Sequence, residues 1–104
     1  MPKRYRLEIT ASAQRDVEAT HDFIARDKPK AAAKWVRAFD QRARSLQQVP
    51  LRCEVIPEAE EIGFDYRHLI WGNYRIIYKV VGNAVIIMRV FHGARLLHHR
   101  HFEE

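Results

Sequence analysis

The sequence predicts an α+β fold, an N-terminal strand and an antiparallel helical hairpin followed by a three-stranded antiparallel meander, in the order β-α-α-β-β-β. Three observations carry this. Residues 66–91 contain three runs rich in β-branched and aromatic side chains, joined by Gly72-Asn73 and Gly82-Asn83. Glycine takes the positive φ that a two-residue hairpin turn needs and asparagine tolerates the turn, so the runs read as a meander with Tyr74–Val81 in the centre. Ahead of it, two adjacent segments place apolar residues at helical spacing. Before these, a short stretch alternates polar and apolar.

Residues 4–9 (Arg-Tyr-Arg-Leu-Glu-Ile) form that alternation, which puts Tyr5, Leu7 and Ile9 on one face of a strand. Thr10 or Ser12 suits the N-cap of the next element. Its apolar positions are Ala13, Val17, Thr20/His21 and Ile24, with Phe23 on the flank. Asp27-Lys28-Pro29 stops this helix, and Pro29 suits the first turn of another. The second helix carries a cleaner stripe of Ala32, Trp35, Val36, Phe39, Ala43 and Leu46, with Lys34, Arg37, Arg42 and Arg44 on its outer face. The tight link predicts an antiparallel hairpin that ends by Pro50. Residues 51–65 are irregular and acidic (Glu54, Glu58, Glu60, Glu61, Asp65), broken by Pro57 and Gly63, with a short strand expected near Glu54–Ile56.

The two-residue turns put Trp71 opposite Tyr74 and Val81 opposite Ala84. With unbroken pairing, Arg75 faces Ile70 on one side and Val90 on the other. Side chains alternate between faces. One face then carries His68, Ile70, Arg75, Ile77, Met88, Val90 and His92. The other carries Arg67, Leu69, Trp71, Tyr74, Ile76, Tyr78, Ile87, Arg89 and Phe91. Both mix apolar and basic groups, so one face is expected to pack on the helices and part of the other to form a basic, partly apolar contact surface.

The length of 104 residues favours one domain over 1–104, closing in a basic, His-rich tail at 92–104. With 47% hydrophobic residues the chain should fold. The net charge of +5 favours an acidic partner: nucleic acid, acidic protein or anionic lipid. No apolar run is long enough for a membrane span and no signal-peptide pattern opens the chain. Cys53 is the one cysteine, so no internal disulfide forms, which fits a reducing cytoplasm. No phosphate-binding glycine loop, dinucleotide fingerprint or zinc spacing is present. No cofactor or metal is expected, because the cluster His98, His99 and His101 sits in a tail without fixed geometry. His92, directly after the last strand, suits a general acid or base, or simply a strand-end histidine bonded to backbone. Arg67, Arg75, Arg89 and Arg95, beside Tyr66, Trp71, Tyr74 and Tyr78, could grip RNA by phosphate contact and base stacking. Equally, they could pair with the acids at 54–65 or with an acidic partner protein.

The run Gly72–Tyr78 (Gly-x-Tyr-Arg-apolar-apolar-Tyr), an apolar strand, and then His-Gly-x-Arg at His92–Arg95 resemble the RelE/ParE superfamily of toxins from bacterial type II toxin–antitoxin systems. The resemblance extends over nearly the whole chain and implies a cytoplasmic toxin, neutralised by a cognate antitoxin in a hetero-oligomer. RelE-like members are ribosome-dependent mRNA endoribonucleases, whereas ParE-like members inhibit DNA gyrase without being enzymes. Arg75 and Arg95 match arginines found in both branches. A RelE-like site would use Arg75, Arg95, His92 or His101, with Arg67 as an additional cation. The strand before the signature lacks the lysines common in RelE-like nucleases, and the tail lacks their tyrosine. Ala-Ala-x-Lys-Trp at 31–35 and the Arg-Val-Phe-His-Gly-Ala-Arg ending at 89–95 look ParE-like. Gyrase is therefore the expected target, with ribosome and mRNA as the alternative. Convergence of Arg75, Arg95 and a tail histidine on one open cleft would favour the nuclease; burial of Arg75 against acids would favour the inhibitor.

Overall fold

The computed structural model describes residues 4–93 and 99–102. Its elements are β1 (Arg6–Ile9), α1 (Ala11–Ala25), α2 (Pro29–Ser45), α3 (Ala59–Ile62), β2 (Arg67–Trp71), β3 (Tyr74–Val81) and β4 (Ala84–His92), with 3₁₀ turns at Pro50–Arg52 and His99–Phe102. The β-α-α-β-β-β order is as the sequence predicts. The expected strand at Glu54–Ile56 is reduced to a single bridge between Val55 and Arg67.

One four-stranded sheet, ordered β1-β4-β3-β2, holds the molecule together. β2, β3 and β4 form the antiparallel meander, turned at Gly72 and Gly82, both at φ 56°. β1 joins β4 in parallel, with Arg6 opposite Ala84 and Ile9 opposite Ile87. Parallel neighbours need a crossover, and the α1–α2 hairpin is part of the long connection that returns the chain to the sheet. Thr10 caps α1: its Oγ1 accepts from the Ala13 N–H at 3.0 Å. Pro29 occupies the first turn of α2 without a donor to waste.

The helices cover one sheet face. Ala13 of α1, and Trp35, Phe39 and Ala43 of α2 with Leu46 beyond it, pack on Ile76, Tyr78, Val85, Ile87 and Val90. The helix stripes lie where periodicity places them. On β1, Tyr5 and Leu7 reach this core, but Ile9 is 43% exposed, because the strand ends there at the sheet edge. Trp35 stacks on Trp71 with ring centroids 5.2 Å apart and meets the edge of Tyr74 at the same distance. Trp71 is thus a half-buried cap on the α2–sheet contact, with the Arg42 guanidinium 5.3 Å above its ring.

The pairing of β3 with β4 differs from the unbroken register. Tyr78 opposes Ile87 as expected, but Ile77 opposes Arg89, so Met88 is the extra residue of a bulge. From there every β4 side chain changes face. Val90 joins the helix-side core and His92 reaches Tyr74, while Phe91 passes to the opposite face, and Arg75 opposes Phe91 instead of Val90. The bulge falls where β1 runs out. Beyond Ile87, the start of α1 takes over the β4 edge. Thr10 Oγ1 donates to the Met88 carbonyl at 2.8 Å, and an Asp16 carboxylate oxygen accepts the Val90 N–H at 2.9 Å.

The second face is also covered, which corrects the expectation of an open basic surface there. Residues 54–66 cross it and build a smaller core of Ile56, Tyr66, Ile77, Met88 and Phe91, with Ile62 and Phe102 at its border. Phe102 stacks on Tyr66 at 4.3 Å, so this part of the tail is docked rather than a solvated basic end. Apolar side chains at Ile56, Ile62 and Phe102 cover what strand alternation alone leaves open.

Tyr78 is fully buried, and its hydroxyl donates to the Pro50 carbonyl, tying the sheet centre to the turn after α2. Burial raises its phenol pKa far above the ordinary value, so it stays neutral and donating. Tyr78→Phe leaves that carbonyl without its buried donor. It is expected to lower stability by about 1–3 kcal/mol, read as a shifted urea midpoint with an unchanged slope.

Candidate functional site

Arg75 lies in the middle of the sheet on the face away from the helices, where a side chain from β3 would meet any ligand laid across the strands. It meets Glu58, the residue just before α3, instead. Its Nη1 and Nη2 donate to the two Glu58 carboxylate oxygens at 3.1 and 3.0 Å, a bidentate fork. Both side chains are 11% exposed. The Arg75 Nε donates to His68 Nδ1 at 3.1 Å, across the β2–β3 pair. Arginine can only donate, so His68 Nδ1 is the unprotonated nitrogen and the ring is neutral with its proton on Nε2.

Burial, and then the Arg75 guanidinium, hold the His68 pKa below the ordinary histidine value; Glu58 and Glu54 pull it upward less strongly. A depressed histidine means that the unfolded chain takes the proton first as pH falls. The stability contributed is therefore complete above the unfolded value of about 6.5 and is lost as pH drops through the folded one, at up to ~1.4 kcal/mol per pH unit for one proton. His68→Gln keeps a neutral acceptor but does not titrate. Urea midpoints measured between about pH 7.5 and 5 should fall less steeply for this variant than for the parent. Identical slopes would remove His68 from the account.

The other sequence candidates lie apart from this centre. Arg67 turns to the backbone, its Nη1 donating to the Cys53 carbonyl at 2.6 Å and the Leu51 carbonyl at 3.3 Å. His92 is exposed at the end of β4, edge-on to Tyr74 at 5.1 Å on the helix side of the sheet. His101 packs its ring against Phe91 at 5.3 Å, and its carbonyl accepts from Arg89 Nη1 at 2.9 Å. Arg95 and His98 fall outside the described residues. Among the described residues, the structure brings Arg75 together with His68 and Glu58, and not with His92. It adds one position that the sequence marked only as part of an acidic stretch, Glu58, and one that it did not mark, Asp16. Asp16 Oδ2 and Oδ1 accept from Arg89 Nε and Nη2 at 2.8 and 2.9 Å. No spacing rule picks out either acid; each is defined by the strand arginine that it meets across the fold.

A different surface opens on the helix side. Ala19, Thr20, Phe23, Ile24, Tyr74 and His92 line a groove of about 450 Å³ between α1 and the far end of the meander. Phe23 stands at its rim, 71% exposed. Phe23 and the groove together form an exposed apolar surface on this side of the molecule.

The sequence model of the ParE toxin of type II toxin–antitoxin systems, parDE, matches residues 7–97. This chain belongs to the ParE toxin family. The family match covers the sheet, the hairpin and the segment carrying Glu58. Among solved structures, the fold of this ParE-family chain is similar to the chromosomal ParDE toxin–antitoxin system from P. aeruginosa, with a TM-score of 0.71 and 21% identity over 88% of this chain and 98% of that one. It is also similar to the toxin–antitoxin complex RelBE2 from Mycobacterium tuberculosis, with a TM-score of 0.63 and 24% identity over 88% of this chain and 94% of that one. At such identities the likeness speaks for the fold. No curated protein matches the sequence.

Proposed function

We propose that this ParE-family toxin acts in the cytoplasm on DNA gyrase and is held inactive by an antitoxin encoded beside it. The observation that carries this reading is the state of Arg75. A nuclease built on the RelE plan would need that guanidinium free to take the charge of a phosphorane, with a base close by. Here it is locked in a two-bond fork to Glu58, under α3 and next to a neutral histidine. The surrounding segment adds Glu54, Glu60, Glu61 and Asp65, whose charge repels a phosphate chain approaching that face. His92 lies on the helix side of the sheet, away from this centre. For the antitoxin, the groove beside Phe23 offers apolar anchorage, and the basic net charge of the toxin suits an acidic segment.

The test is a supercoiling assay with purified gyrase and the full chain, with and without its genomic neighbour. Loss of supercoiling that the neighbour relieves is the expected result. Full supercoiling by gyrase in the presence of folded toxin, together with cleavage of mRNA on ribosomes, would overturn the reading.

A further inference from the structure

The positive charge of this protein is concentrated. α2 carries Lys30, Lys34, Arg37, Arg42 and Arg44 against one acid, Asp40, while α1 carries Arg15 against Asp16, Glu18 and Asp22. Segment 54–65 has acids and no base. α2 and the acidic segment pack on opposite faces of the sheet, so the basic helix lies away from the acids at 54–65, beside a net acidic α1.

On the basic side the cations are in register. Lys30, Lys34, Arg37 and Arg44 stand at i, i+4, i+7 and i+14 and are all exposed, with Gln41 filling the remaining step. That spacing is one face of a helix. At about 1.5 Å rise per residue the row is roughly 20 Å long, its first three cations about 5 Å apart and Arg44 about 10 Å beyond Arg37. Arg44 pairs with Asp40 at 2.8 Å, an exposed i,i+4 contact that is weak in water. Arg42 is turned away over Trp71.

We infer that this face of α2 is a docking surface for the phosphate backbone of duplex DNA. The stripe lacks what other acidic partners require. A protein interface needs apolar anchors with charge kept to the rim, yet the large apolar side chains of α2 facing the sheet, Trp35 and Phe39, are buried beneath the helix. A single strand of nucleic acid needs aromatic platforms for its bases, and those same rings are the ones turned inward. What the face offers is a row of cations bordered by alanines, by the exposed Asp40 and by a shallow pocket lined by Val36, Arg37, Asp40 and Gln41, and the excess of positive charge suits sequence-independent contact with a regular phosphate chain. The inference concerns binding by the toxin itself and does not rest on gyrase as the target.

The experiment is fluorescence anisotropy of a fluorescein-labelled DNA duplex about two turns long, titrated with the full chain over a range of salt. Two variants carry the same loss of charge. One is Lys30→Gln/Lys34→Gln/Arg37→Gln on the stripe; the other is Arg4→Gln/Arg6→Gln/Arg15→Gln, all exposed and elsewhere. The stripe variant should bind at least tenfold more weakly at low salt, and its plot of log K against log salt should be shallower by about 2–3, since each lost phosphate contact removes ~0.9. The control variant should keep most of the parent slope. The inference fails if the parent does not bind the duplex, or if both variants lose equally. It fails too if a single strand of the same length binds as tightly, or if poly-glutamate rather than duplex depends on the stripe. Because the substituted side chains are exposed, matching thermal unfolding curves are expected for all three proteins, so that a lost slope reports on binding.

Discussion

Glu58→Ala is expected to destabilise the fold by about 3–5 kcal/mol, the range for removing one partner of a buried ion pair. For a chain of this size that is a drop in Tm of more than ~10 °C. The reason is the setting of Arg75. It is 11% exposed, and the carboxylate it faces is equally shielded. His68 gives Nε an acceptor but carries no negative charge. Removing the carboxylate takes both acceptors of the fork away from a desolvated cation. The pair itself need not be strongly favourable, because desolvation offsets much of the attraction. A double variant, Glu58→Leu/Arg75→Met, should therefore regain most of the lost stability, and a double-mutant cycle from urea unfolding should give a coupling of about 1–3 kcal/mol. Additive single effects would show that the fork seen here contributes little.

Asp16→Ala is the second large effect, expected at about 3 kcal/mol. The carboxylate takes two hydrogen bonds from Arg89 and one from the Val90 backbone, joining α1 to β4 beyond Ile87, where the pairing with β1 ends. Its loss opens a partly buried cation and a ladder N–H together. Asp16→Asn with its amide oxygen in the Oδ2 place keeps an acceptor for Arg89 Nε and the Val90 N–H and should cost less, about 1–2 kcal/mol. Amide exchange separates this local role from a general loss of stability. The Val90 N–H should exchange faster in Asp16→Ala than its neighbours in β4 do, under conditions where the protein stays folded. An unaltered Val90 rate relative to those neighbours would rule out the strand-edge role.

The parts of the fold that obey local rules were legible in the sequence. Two Gly-Asn turns, a capping threonine, a proline at the start of α2 and two apolar stripes each act over a few residues, and each is where periodicity and turn chemistry put it. The family was read from other residues, the Gly72–Tyr78 run and His-Gly-x-Arg at His92–Arg95, as a resemblance. The register beyond Tyr78 was not legible. The bulge at Met88 answers to the end of β1 and the arrival of α1, elements far away in the chain, and a one-residue insertion reverses every face assignment after it. The cover over the second face was also hidden, since residues 51–65 have no period to read. Pairing of the strand arginines with acids at 54–65 stood as one of two open readings, and only the packing of α3 selects Glu58 as the partner of Arg75. Arg89 found its acid outside that segment, on α1, because the edge of β4 lies beside the first helix.

The parallel contact between β1 and β4 bears on how this toxin is made. The helical hairpin and the meander turns close over short stretches of chain and can form early, but β1 waits for the strand paired with it at Ala84–Ile87. Synthesis proceeds from the N-terminus at roughly 5–20 residues per second. Throughout that time the helices lack Val85, Ile87 and Val90 beneath them, and the second core lacks Met88 and Phe91. A growing chain thus carries the basic helix long before it has a body to hold it. β4, the last of the described strands, completes the sheet side of both cores, so translation itself sets when either can close.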